Sequence, residues 1–94
     1  MVCKRVLLYG KVQGVSFRYH TYEKATAAKL KGWVRNLPDG RVEMLLNGSP
    51  QAVEGVISWA HQGPPAAQVE TVEVSEVKEN IPEEAFFIRR EGVK

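Results

Sequence analysis

The sequence predicts an α+β protein of the ferredoxin-like class: a βαββαβ two-layer sandwich in which an antiparallel sheet carries two helices on one face. Three observations predict it. The elements follow the order β-α-β-β-α-β with a short final edge strand, apolar residues alternate in the strand segments, and they recur at helical spacing in the second helical segment. With 94 residues, 44% of them hydrophobic and 26% charged, the chain is expected to form one domain over residues 1–94.

The first two elements are a strand and a helix. The segment "CKRVLLYGKV" is rich in β-branched and aliphatic residues and predicts a strand that ends near Val12. From Phe17 to about Lys31 the composition changes to the helix formers Ala, Lys, Glu and Leu. We expect Gly32 to end this helix.

A β-hairpin is predicted next, over residues 33–47. In "GWVRN" the alternation places Val34 and Asn36 on one face of the strand and Trp33 and Arg35 on the other, with Arg35 expected to be solvated. The turn "LPDG" has proline at its first central position and a glycine that tolerates positive φ. The strand "RVEMLLNG" then alternates Val, Met and Leu towards the core.

The second helix has clear start and stop signals. Ser49 can cap it and Pro50 suits its first turn. Its apolar face is predicted at Val53, Val56, Ile57 and Ala60, and Gly63 with the following Pro-Pro pair ends it. The segment "VETVEVSEV" predicts a fourth strand with a bulge near Ser75 and Glu76, and "AFFIRR" predicts a short final strand.

Charge is distributed unevenly along the chain. Residues 1–41 hold nine Lys or Arg against two acids, whereas residues 42–94 hold four against nine. The basic half indicates an anionic partner, although an unevenly charged solvated surface gives the same pattern. Cys3 is the one cysteine, which fits a reducing compartment, and no stretch resembles a membrane span or signal peptide. We therefore expect a cytoplasmic protein without a membrane partner.

The segment "GKVQGVSFRYH" joins the first strand to the first helix. Gly14 permits turned backbone whose N–H groups can form an anion-binding nest, and the helix N-terminus adds further donors. Arg18 stands in the first helical turn, where a cation is unfavourable unless an anion is present. Phosphate fits this arrangement, but a plain strand-to-helix connection with a surface arginine fits the spacing equally well. Because strands 1 and 2 run parallel with strand 3 between them, Asn36 should lie near this segment.

Two long motifs resemble those of the acylphosphatase family. "GKVQGVSFR" is similar to the family's first signature and "GWVRNLPDGRVEMLLNG" to its second, and the match runs from about Arg5 to Arg90. The resemblance implies hydrolysis of acyl phosphates to a carboxylate and inorganic phosphate. It implies that Arg18 and Asn36 are catalytic, Arg18 binding the phosphoryl group and Asn36 positioning the attacking water. Backbone N–H groups of the loop would assist, contributed by Gln13, Gly14, Val15, Ser16, Phe17 and Arg18.

The expected partners follow from this chemistry. We expect a small-molecule acyl phosphate as substrate, inorganic phosphate or sulfate as a competitive ligand, no metal, no cofactor and a monomer. His20 and His61 have no second ligand at metal spacing, and His20 is expected on the helix surface. Two alternatives remain from the residues alone: a non-catalytic phosphate-binding domain and an RNA-binding ferredoxin-like module. The RNA-binding alternative is weakened because strand 3 carries no aromatic residue for base stacking.

Overall fold

The computed structural model describes residues 1–78 and 85–90. The chain forms five strands and two helices within these ranges. They are β1 (Val2–Lys11), α1 (Phe17–Ala27), β2 (Lys31–Asn36), β3 (Val42–Gly48), α2 (Pro50–Ala60), β4 (Gln68–Glu76) and β5 (Phe86–Ile88). Within the described residues no helix combines the length and the apolar character that crossing a bilayer requires.

The sheet has the strand order β4-β1-β3-β2-β5. β3 is antiparallel to both β1 and β2, so β1 and β2 run in the same direction on either side of it. β4 is antiparallel to β1, and β5 adds to β2 as a parallel edge strand. The predicted ferredoxin-like sandwich is confirmed. The carboxyl ends of β1, β2 and β5 therefore lie along one edge of the sheet.

Both helices pack on the same face of the sheet. α2 buries the four predicted residues, Val53, Val56, Ile57 and Ala60, whereas α1 buries only three residues, one of them a threonine. The core combines these with the alternating strand residues, whose largest fully buried members are Leu8, Met44, Leu46, Val6, Val34 and Val42. Each such aliphatic side chain stabilises the fold by roughly 1.5–3 kcal/mol. The rows of apolar residues on the strands thus attach the helices to one face.

The first helix is shorter than predicted. It ends at Ala27, and Lys29 adopts a left-handed conformation with φ of 61°. The N–H of Leu30 then donates to the carbonyl of Ala25 at 2.9 Å, so the helix is terminated without a glycine. Gly32 lies instead within β2, with φ of 129°, where a Cβ would stand 1.9 Å from the Leu45 carbonyl oxygen. Its role is close strand approach, not helix termination.

The predicted bulge was placed at the wrong end of β4. Ser75 and Glu76 pair in register with β1, and the register shift lies between Tyr9 and Gly10, opposite Thr71 and Val69. Glu70 is the extra residue of the bulge. The Glu70 side chain is exposed, so it does not contribute an apolar residue to the alternating pattern along β4.

Candidate active site

The connection between β1 and α1 contains two residues in the left-handed backbone conformation. Gly14 has φ of 74° and Ser16 has φ of 64°, and Ser16 is the residue that precedes the first turn of α1. No N–H from residue 13 to residue 19 donates to a described backbone or side-chain acceptor. Turned backbone of this kind forms concave arrays of N–H donors that bind anions. We call residues 13–18 the anion loop.

The N-terminus of α1 lacks the side-chain partners that helix starts usually have. The Ser16 side chain makes no capping hydrogen bond, and the first turn contains no acidic residue. Arg18 is half-buried in that turn and has neither a hydrogen bond nor an ion pair to a described residue. The positive end of the helix dipole and a guanidinium therefore reinforce each other. An anion would stabilise both.

Asn36 is the last residue of β2. Its Oδ1 atom is buried and has no hydrogen-bond partner among the described residues. Leaving a buried acceptor unpaired costs about 1–3 kcal/mol, which a bound molecule with a donor would offset. Arg18 and Asn36 line one cavity of about 320 Å³, together with Val12, Gly14, Ser16, Phe17, Tyr19, Ile88 and Arg90.

The residues of the anion loop lie in different surroundings. Gly14, Ser16 and Phe17 line the cavity with Arg18, whereas Val15 is buried in the hydrophobic core. The Phe17 ring is also buried and lies 5.3 Å from the Trp59 ring, centroid to centroid. The core therefore anchors the loop at two apolar positions and leaves its polar backbone at the cavity.

Gln13 connects the anion loop to the β2–β3 turn. Its side-chain Nε2 donates to the Leu37 carbonyl at 2.8 Å and to the Arg41 carbonyl at 2.9 Å. Both partners are acceptors, so the amide nitrogen must be the atom that faces them. The sequence predicted Gln13 only as a contributor of backbone N–H. Its side chain also contacts the turn that begins directly after Asn36, a contact that was not predicted.

Four further cavity residues were not predicted as site residues from the sequence: Val12, Tyr19, Ile88 and Arg90. Ile88 and Arg90 reach the cavity because β5 runs parallel to β2, a pairing that the strand pattern does not reveal. Arg90 adds a second guanidinium, and no carboxylate lines the cavity within the described residues. Hydrogen bonding to Glu23, and then the charge of that carboxylate, raises the pKa of the Tyr19 hydroxyl, which favours its neutral form.

Two other polar residues lie outside this cavity. His20 is half-buried on α1, its Nδ1 lies 2.8 Å from the Ser16 carbonyl oxygen, and it lines a separate cavity beside Trp59. Arg35 is not solvated as expected: its Nε lies 2.6 Å from the buried Glu43 carboxylate. That ion pair belongs to the sheet face without helices. In residues 1–78 and 85–90 there is no group of three or more His, Cys, Asp or Glu placed to hold a metal.

The fold and the cavity define a class: a ferredoxin-like sandwich with a cavity lined by turned backbone and arginine at the start of α1. Residues 4–88 match the acylphosphatase family model. An acylphosphatase of Nitrosococcus oceani is 53% identical over 87 residues, covering 93% of this chain and 96% of that protein. One from Acaryochloris marina is 51% identical over 76 residues, covering 81% and 82%. The crystal structure of acylphosphatase from Bacillus subtilis has a TM-score of 0.91 at 36% identity, covering 96% and 100% of the two chains.

The chain belongs to the acylphosphatase family. It is an enzyme that hydrolyses acyl phosphates, and the predicted family and activity are confirmed. The RNA-binding and non-catalytic alternatives are not favoured by these similarities.

Proposed function

We propose that Arg18 and the backbone N–H groups of the anion loop bind the phosphoryl group of an acyl phosphate, and that Asn36 holds the attacking water. The observation that carries this assignment is the pairing of unsatisfied groups in one cavity. Among the described residues, the half-buried Arg18 has no acidic partner, and it lines the same cavity as Asn36, whose buried Oδ1 accepts no hydrogen bond. A phosphoryl dianion and a water molecule would satisfy both.

The phosphoryl oxygens match the donors on this side of the cavity. A guanidinium presents two N–H groups in a fork that fits two phosphate oxygens, and the N–H groups of the loop and of the first turn of α1 supply further donors. Because these donors are fixed in the fold, they need little reorganisation when charge shifts on the phosphoryl group. Arg18 and the loop would therefore stabilise the transition state as well as the substrate.

Asn36 acts on the nucleophile in this mechanism. Its Oδ1 accepts a hydrogen bond from one O–H of water, which directs a lone pair of the water oxygen at phosphorus. A P–O bond to water forms as the P–O bond to the acyl oxygen breaks. The acyl group leaves as a carboxylate and takes the bonding electrons, and the proton lost by water passes to a phosphate oxygen or to solvent.

The leaving group explains why such a small set of residues suffices. An acyl phosphate is a mixed anhydride, so its leaving group is a carboxylate, which is a weak base. It needs little protonation as it leaves, and the loose character of phosphoryl transfer makes a strong general base unnecessary. Charge stabilisation and water positioning remain, and both are tasks that one arginine, N–H donors and one amide can perform.

Phosphate release from acetyl phosphate and benzoyl phosphate, measured with and without EDTA, tests the proposal. We expect hydrolysis of both substrates at rates that the chelator does not change. Glycerol phosphate should be a poor substrate, because an alkoxide leaves badly without a general acid. Activity that disappears with EDTA and returns with Mg²⁺ would overturn the metal-free mechanism.

Three further properties belong to the same proposal. Inorganic phosphate and sulfate should compete with substrate at the anion loop, because they present the same oxygens as the phosphoryl group. We propose a monomer of one domain over residues 1–94 that acts in the cytoplasm. The lone cysteine supports the last point, because it fits a reducing compartment.

A further inference from the structure

The Gln13 side chain holds together two segments that carry different parts of the site. The anion loop and Arg18 follow β1, whereas Asn36 ends β2, and β3 lies between these strands. Gln13 Nε2 spans the gap with hydrogen bonds of 2.8 Å to the Leu37 carbonyl and 2.9 Å to the Arg41 carbonyl. These side-chain bonds join the anion loop directly to the turn that follows Asn36.

The two carbonyl groups also belong to the closing bonds of the β2–β3 turn. The Leu37 N–H donates to the Arg41 carbonyl at 2.8 Å, and the Gly40 N–H donates to the Leu37 carbonyl at 3.1 Å. Each carbonyl oxygen thus accepts one bond from the turn and one from Gln13. The Gln13 amide supplies the second hydrogen bond to both carbonyl oxygens. Because this amide is half-buried, its loss would leave the Leu37 and Arg41 carbonyl oxygens poorly satisfied.

We infer that Gln13 is a positioning residue that fixes Asn36 relative to the phosphoryl group, and that it does so through its side-chain amide. This inference rests on the proposed roles of Arg18 and Asn36. The phosphoryl donors lie within one continuous segment, so their geometry does not require Gln13 to contact the turn. Asn36, by contrast, lies on a different segment from these donors. The two hydrogen bonds of Gln13 connect the segments and so restrain the distance from Asn36 to phosphorus.

Gln13→Met tests the inference, because methionine fills similar space without a donor. We expect turnover of acetyl phosphate to fall by roughly 10- to 100-fold, the loss that a misplacement of about 1 Å can cause. Competitive inhibition by inorganic phosphate should change by less than about threefold, because the loop N–H groups and Arg18 are retained. Equal losses of turnover and phosphate affinity would show that Gln13 shapes the loop itself and would overturn the inference.

A double-mutant cycle separates positioning from stability. If Gln13 acts through Asn36, then Gln13→Met should lower turnover by less than about twofold when Asn36→Ala is already present. A loss of the same factor in both backgrounds would overturn the inference. If Asn36→Ala alone retains full turnover, the proposed role of Asn36 fails and the inference fails with it. If Asn36→Ala is slow but Gln13→Met is not, only the inference fails.

Asp39→Ala is the matched control for a weakened turn. Asp39 accepts a hydrogen bond from the Arg41 N–H at 3.1 Å and pairs with the Arg41 guanidinium at 2.8 Å, and it makes no hydrogen bond or ion pair to the anion loop. This variant should lower the melting temperature and leave turnover nearly unchanged at a permissive temperature. A loss of turnover as large as that of Gln13→Met would show that any damage to the turn suffices, against the inference.

Gln13→Glu keeps the test decisive if Gln13→Met does not fold. A carboxylate at this position faces two carbonyl oxygens, so it repels them when ionised and can donate one hydrogen bond when protonated. The ratio of variant to wild-type turnover should therefore rise as the pH falls through the carboxyl pKa. A ratio that stays constant with pH would count against a positioning role for the amide donor.

Discussion

Both helices of this protein follow a serine, yet their first turns are completed in opposite ways. Ser49 precedes α2 in an extended conformation, and its Oγ accepts from the Ala52 N–H at 3.2 Å, with Pro50 at the start of the helix. Ser16 precedes α1 in the left-handed conformation and its side chain makes no capping bond. A side chain thus caps one N–H at the N-terminus of α2, whereas the serine before α1 caps none among the described residues.

The difference shows how one element type serves stability in one place and binding in another. A capped helix start typically stabilises a protein by about 1 kcal/mol. At α1 the corresponding donors have no acceptor among the described residues, and Arg18 adds positive charge beside them. The sequence at both starts contains serine, so the conformation imposed by Gly14 and by the turned backbone decides the outcome. Substitutions that act on one helix start and not on the other test this contrast.

The largest effect is expected from Arg18→Lys. Lysine keeps the charge at the α1 N-terminus but loses the planar fork that binds two phosphoryl oxygens. We expect kcat/KM for acetyl phosphate to fall on the order of 10³-fold, with both KM and kcat affected. Steady-state kinetics measure this, and circular dichroism checks that the variant is folded. Near-normal kinetics would mean that charge alone suffices at this helix start.

Asn36→Ala should give the next largest effect, through turnover alone. The phosphoryl donors of α1 and the anion loop remain, and only the group proposed to direct the water is removed. We expect kcat to fall by about 10²- to 10³-fold while phosphate inhibition stays near normal. Asn36 also precedes the β2–β3 turn, so the melting temperature must be measured on the same protein. A lower melting temperature with unchanged turnover would assign Asn36 a structural role.

The contrast between the two helices also explains what the sequence could predict of the fold. α2 has a cap, a proline and four apolar residues on one face, and its bounds follow closely from those signals. α1 buries few apolar residues and has no glycine at its end, so its length was overestimated. The bulge at Glu70 was misplaced, although the spacing of three between the half-buried Val69 and Val72 was a usable signal.

The candidate site was predictable where one segment carries the chemistry. The Gly-rich motif with its arginine indicated an anion loop, and strand order placed Asn36 beside it. Two features depend on contacts between segments that no local pattern encodes. One is the Gln13 amide bridging to the β2–β3 turn, and the other is the parallel pairing of β5 that brings Arg90 to the cavity.

Sulfate should stabilise the protein through the α1 helix start. A ligand that binds only the folded state at 100 times its Kd raises the free energy of unfolding by about 2.7 kcal/mol. The melting temperature in sulfate should therefore be higher than in chloride of matched ionic strength. The chloride sample controls for screening of the basic half of the chain. In the Arg18→Lys variant, most of this difference in melting temperature between sulfate and chloride should disappear. If sulfate and chloride act equally on the wild type, the anion loop does not bind oxyanions.

The smallest effect distinguishes the two serines themselves, through Ser49→Ala and Ser16→Ala. Ser49→Ala removes a capping acceptor, so we expect the free energy of unfolding to fall by about 1 kcal/mol with turnover unchanged. Ser16→Ala removes a hydroxyl that caps nothing and keeps the backbone N–H, so stability should change by less than about 0.3 kcal/mol, since no cap is lost. Phosphate inhibition should stay within about twofold, because the proposed contact is through backbone. Urea unfolding and inhibition assays on the two variants measure these quantities. Equal destabilisation by both substitutions would show that Ser16 also caps its helix, and the contrast between the two helix starts would then be wrong.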